Sequence, residues 1–98
     1  MLPGSTRKYL RGLAHSYRPS VQIGKEGLTA AVSEAIDVAL KARELIKVQL
    51  FAERDERAEM TATIEAGLSC ECVGSIGRMA VFYRQNDDPE DRVITLPE

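Results

Sequence analysis

At Ile23-Gly24-Lys25-Glu26-Gly27-Leu28-Thr29 the hydrophobic period of the chain switches from that of a strand to that of a helix. Val21-Gln22-Ile23, before the switch, is a short β-favouring run. After it, Leu28, Val32, Ala35, Ile36, Ala39 and Leu40 recur at the spacing of an amphipathic helix, and Thr29 is placed to cap its first turn. Glycines on both sides of Lys25 and Glu26 allow positive φ and let another chain approach without meeting a Cβ. A loop of this kind at a helix N-terminus, with free amides and a lysine, favours a bound phosphate. Taken alone, G-x-x-G is most often a simple turn, so a functional reading depends on what surrounds it.

The rest of the chain supplies alternating elements. Ser5 is placed to cap a first helix running to about Ser16, with Thr6, Leu10, Leu13, Ala14 and Tyr17 on one side. Arg7, Lys8, Arg11, His15 and Arg18 occupy a neighbouring arc with no carboxylate to pair with, which reads as a solvated face or a phosphate-tracking surface. Arg18-Pro19 ends that region, because the residue before proline is steered away from helical angles. A strand at Ser20–Ile23 and a helix from Thr29 to about Ala42 follow. Leu45–Phe51 alternates as a second strand, with Ile46, Val48 and Leu50 inward and Lys47 and Gln49 outward, so Lys47 is expected on an open face.

Glu53–Ala66 is helix-favouring, with Asp55 as a candidate cap and Gly67 as a stop. Ser69–Ile76 and Met79–Arg84 read as strands joined across Gly77-Arg78, where Arg78 stands within reach of a ligand. Residues 85–92 are acidic, without periodicity, and expected to be a mobile loop lying away from the basic face. Val93-Ile94-Thr95-Leu96 is expected to return to the sheet or dock on it. The expected architecture is α+β: a single two-layer domain of order α-β-α-β-α-β-β, a mixed four-stranded sheet with three helices.

Composition bounds the function. The 98 residues make one domain. No apolar run approaches the ~20 residues that span a bilayer, and Met1-Leu2-Pro3-Gly4 lacks the apolar core of a signal peptide, so a cytoplasmic location without a membrane partner is expected. Net charge is −2, but residues 1–50 carry +4 and the remainder −6, an asymmetry that points to a polyanion partner on one side. Cys70 and Cys72, two apart on a strand, read as small apolar side chains, since there is one histidine and no second cysteine pair to complete a zinc site. His15 has no evident catalytic partner, so neither an enzyme nor a cofactor or metal is expected. Aromatic content of 5% without tryptophan argues against a surface built on base stacking, and Tyr9, Tyr17, Phe51, Phe82 and Tyr83 read as packing residues.

The segments Arg11–His15, Pro19–Thr29, Glu44–Val48 and Ile76–Arg84, taken in order, resemble the successive signatures of the CRM domain, the chloroplast RNA splicing and ribosome maturation module, in its stand-alone bacterial, YhbY-type form. The chain departs from that pattern at Gly74-Ser75, where the family usually carries a more apolar pair. The resemblance implies an RNA-binding fold similar to the C-terminal domain of translation initiation factor three, without catalysis. It implies ribosomal RNA of large-subunit precursors as partner, and RNA contact at Gly24, Lys25, Glu26 and Gly27 through a loop like that of KH domains. Arg7, Lys8, Arg11, Arg18, Lys47 and Arg78 complete the expected basic surface. A second expectation, of a different class, is a module whose outward strand face docks on a ribosomal protein or assembly factor.

Overall fold

The computed structural model describes residues 1–97. Its elements are α1 (Gly4–Ala14), β1 (Val21–Ile23), α2 (Ala30–Arg43), β2 (Leu45–Leu50), α3 (Arg54–Leu68), β3 (Glu71–Ile76), β4 (Met79–Tyr83) and a 3-10 turn at Pro89–Asp91. The strands form one mixed sheet of order β1-β2-β4-β3. β1 pairs in parallel with β2, with Ile23 opposite Leu50, and β4 runs antiparallel to both β2 and β3. The central place of β4 follows from its composition: Met79-Ala80-Val81-Phe82-Tyr83 is apolar at every position, as a strand buried on both faces must be.

Alternation along β2 and β4 divides the core in two. Ile46, Val48, Leu50, Ala80 and Phe82 face α2 and α3, packing with Ile36, Leu40 and Ile64. Leu45, Val81 and Tyr83 face the other way, with Val73, Leu10 and Ala14. The three helices and the mixed four-stranded sheet are as expected, but with α2 and α3 on one face and α1 on the other the sheet is covered on both sides, giving three layers where two were expected. The α1 cover closes only the β3–β4 side of the strand face expected to dock a protein and to carry Lys47; Gln22 and Gln49 bond each other in solvent on its β1 side, and Lys47 Nζ donates to His15 O at 3.2 Å at the end of α1.

Three helix ends differ from expectation, one of them at the start of α3, where Asp55 lies inside the first turn and Glu53 holds the cap position without a side-chain bond. Ser5 lies inside α1, whose cap position is Pro3, and the first bond runs from Arg7 N to Pro3 O at 3.0 Å. Proline already holds φ at −59°, so the chain enters the helix without a hydroxyl cap. Gly67 does not stop α3, because Leu68 gains by continuing the helix onto the core; Ser69 then turns left-handed at φ 52°. Thr29 caps α2 as expected, accepting from Val32 N at 3.2 Å.

The acidic segment expected to be mobile is fastened at Glu44. This residue is fully buried, and its carboxylate accepts from Asn86 N at 2.7 Å, Val93 N at 2.7 Å and Ile94 N at 3.0 Å. Ile94 and Leu96 then dock on the α1 side of the core without forming a strand. Asn86 Nδ2 donates to Lys41 O in the last turn of α2, which places the acidic segment roughly 20 Å along that helix from the glycine loop, at 1.5 Å per residue. Cys70 and Cys72 pack against the core as half-buried free thiols; burial pushes the Cys70 thiol up to about 11, so it stays protonated at neutral pH.

Candidate nucleic-acid interface

Between β1 and α2 the chain closes a tight turn, in which Gly27 N donates to Gly24 O at 3.0 Å. Gly27 takes φ +73°, a conformation that favours glycine. Gly24 does not, but a Cβ built on it would meet no atom within 4 Å, so its value is the approach it leaves open. Lys25 and Glu26 stand exposed at the tip, and among the described residues their amides have no hydrogen-bond acceptor. The next element, α2, has no acidic side chain in its first turn to offset its positive end. Lys25 and Glu26 cancel in charge, so what this turn could offer an anion is its open amides, the helix end and the reach of the lysine stem.

The sheet register brings a second loop to the same end. Ile23 is opposite Leu50, whose N–H donates to Arg78 O at 2.7 Å. Gly77, at φ +57°, occupies the first position of the two-residue β3–β4 turn, and Arg78 is exposed beside it. Met60 of α3 is the neighbour of Gly27, its Cε 3.9 Å from where a Cβ would stand. A groove of about 440 Å³ opens between α3 and the β3–β4 hairpin at this end, with Arg54, Arg57, Thr61 and Ser75 on its walls. The larger concavity, about 700 Å³, lies at the other end of the sheet, where Arg84 is tied to Asp37 at 2.8 Å and to Leu68 O at 2.9 Å.

The basic residues expected on the first helix separate into two groups. Arg7 and Arg11, one turn apart, bend back over the edge strand: Arg7 Nη2 donates to Cys72 O at 3.2 Å, and Arg11 Nη1 to Val73 O at 2.9 Å. The register slips between Cys72 and Gly74, so Val73 is left without a cross-strand partner, and Arg11 satisfies the carbonyl that this bulge frees. Gly74 makes the crossing possible, because a Cβ there would collide with the Arg11 stem. Arg7 also pairs with Glu71 at 3.5 Å, a carboxylate distant in sequence that reading the helix by itself did not supply. These two arginines therefore do not join Lys25: β3 and β1 are opposite edges, three strand spacings or roughly 14 Å apart.

Lys8 and Arg18 remain exposed, and Lys47 is engaged with His15 O. The structure thus brings together Gly24, Lys25, Glu26, Gly27 and Arg78, and gives Arg7, Arg11 and Lys47 structural bonds. It also exposes Phe51, next to Ile23, which had read as a packing residue. The strand alternation carried that signal, since Phe51 is in phase with Lys47 and Gln49.

A small α+β domain with an open glycine turn at a helix N-terminus belongs to the class of folds suited to holding a phosphate backbone. The chain belongs to the CRS1 / YhbY (CRM) domain family, whose pattern matches residues 2–84. A relative from Pseudomonas aeruginosa, named probable RNA-binding protein PA4753, is 37% identical over 92% of this chain and 88% of its own length. Probable RNA-binding protein YqeI of Bacillus subtilis is 34% identical over 99% of this chain and 100% of its own. The solution structure of the hypothetical protein SAV1595 from Staphylococcus aureus, 38% identical, superposes with a TM-score of 0.82 over 99% of this chain and 100% of that one. The family is one of RNA-binding domains and not a known enzyme family. Among the described residues no helix is long and apolar enough to cross a membrane, and no cluster of three or more His, Cys, Asp or Glu is placed to hold a metal.

Proposed function

We propose that this chain binds RNA at the end of the sheet that carries the Gly24–Gly27 turn, and that the RNA is ribosomal RNA in large-subunit precursors, met in the cytoplasm during ribosome assembly. The observation that carries the reading is the turn itself: exposed, glycine-dependent at Gly27, with unbonded amides at Lys25 and Glu26 and an uncompensated helix end behind it. Backbone contact falls to Gly24, Lys25, Glu26, Gly27 and Arg78, with Lys8 and Arg18 as outlying cations. Arg7, Arg11 and Lys47 act by holding α1 on the sheet.

Support for RNA comes from the family and from the names of the relatives; support for a ribosomal precursor comes from the motif resemblance. The test is a salt titration of affinity for precursor ribosomal RNA. With two to four phosphates neutralised, log affinity falls against log salt with a slope of roughly −1.5 to −3, at about 0.7 per phosphate for single strands. Lys25→Glu weakens binding to all sequences and flattens the slope. An affinity insensitive to salt, or to Lys25→Glu, contradicts the assignment of the site. Association of the tagged protein with mature ribosomes alone, and not with precursor particles, contradicts the choice of RNA.

A further inference from the structure

The backbone of Phe51 is held from both sides while the residue stays about half exposed. Its N–H donates to Ile23 O at 2.9 Å, and Ala52 N donates to Leu50 O at 3.1 Å. Arg57, from the first turn of α3, donates through Nη1 to Ala52 O at 2.7 Å. The backbone carrying the ring is thereby tied to β1, β2 and α3, yet the residue remains 46% exposed. Single exposed apolar side chains are ordinary, but this one is aromatic, is carried on a tied backbone and stands next to an open turn, where a flat apolar face has a use. Ile23, which holds Phe51, is directly followed by Gly24 and Lys25, and Ile76, 84% exposed, stands on the neighbouring hairpin.

Charge divides this end of the molecule. Lys25 and the unbonded amides lie on the turn, whereas the start of α3, just after the ring, is net negative, with Glu53, Asp55 and Glu56 outnumbering the interleaved Arg54 and Arg57. The acids complement the α3 dipole and repel a phosphate placed beside them. The ring is therefore suited to the uncharged part of a nucleotide whose phosphate sits on the turn. We infer that Phe51 is a stacking platform for a base of single-stranded RNA, with the backbone of the same strand on the Gly24–Gly27 turn. The inference rests on the RNA reading above and adds to it that the bound segment is unpaired.

The chain contains no tryptophan, so Phe51→Trp places a single fluorescent reporter at the platform. The full-length protein is titrated with a ten-nucleotide oligoadenylate and with a duplex of the same length. Phe51→Trp binds the single strand at least as well as the wild type, and its emission is quenched on binding. Phe51→Leu keeps the melting temperature and the salt slope, but loses about five- to a hundredfold in affinity, the range for one stacked base. Wild-type affinity in Phe51→Leu, or an unquenched Phe51→Trp, alongside weakened binding by Lys25→Glu, overturns the platform and leaves the RNA reading in place. Equal affinity for the duplex also overturns it. Wild-type affinity in both Phe51→Leu and Lys25→Glu removes the RNA site from this end altogether.

Discussion

Replacing Glu44 tests how the second half of the chain is held. Every polar group of this fully buried residue is engaged: its N–H with Leu40 O at 2.8 Å, its carbonyl with Arg84 N at 2.9 Å, and its carboxylate with the amides of residues 86, 93 and 94. A hydrogen bond to a charged group contributes about 1.5–3 kcal/mol, but burial of the carboxylate offsets part of the sum. The released amides also recover water if segment 86–96 peels away, at the further loss of the half-buried Ile94 and Leu96, about 1 kcal/mol each. Together these set the cost of Glu44→Ala at about 3 kcal/mol, or a fall in Tm of about 12–24 °C for a domain of this size.

Glu44→Gln keeps an oxygen for Val93 and Ile94 but turns an NH₂ group towards the Asn86 amide, so it costs about 1–2 kcal/mol. Glu44→Gly loses the carboxylate but relieves the φ of 63°, and so lies about 1 kcal/mol above Glu44→Ala. Thermal and urea unfolding followed by circular dichroism measure all three. A Glu44→Ala variant within 0.5 kcal/mol of wild type, or a glycine variant no better than alanine, refutes the reasoning.

Gly24→Ala should fold as the wild type and bind RNA less well, because its methyl group enters open space on the approach to the turn; Gly27→Ala should instead lose about 1 kcal/mol of stability through its φ of +73°, and unfolding curves alongside RNA titrations separate the two. Asp37, bonded first to Arg84 and then to Lys41, is held below its ordinary value of 3.8. A depressed carboxylate contributes stability that is present above 3.8 and lost as pH falls through the lower folded value, so Asp37→Asn should flatten the acid limb of a stability–pH curve and leave its neutral region parallel to wild type.

How much of this was legible in the sequence depended on whether a signal was local. The switch of period at Gly24–Gly27, the Thr29 cap and the all-apolar run of β4 are properties of a few adjacent residues, and each appears where its pattern placed it. The roles of Arg7 and Arg11 were not legible as charge on a helix, because the groups they satisfy are carbonyls at a bulge on a strand more than sixty residues later. Glu44 was equally hidden: a carboxylate after a helix looks solvated until the segment it binds folds back from residues 86–94. Gly74-Ser75 read only as a departure from a more apolar pair, and its glycine is the gap through which Arg11 reaches Val73.

The central claim, that RNA is held at the end of the sheet bearing the glycine turn, is tested most directly by following backbone amide resonances while unlabelled single-stranded RNA is added. The account predicts the largest shifts at Lys25, Glu26 and Leu28, with smaller ones at Phe51 and Arg78, and little change in the segment fastened to Glu44. Shifts concentrated on residues 86–94, or on the outer face of α1 with the turn unmoved, would contradict it.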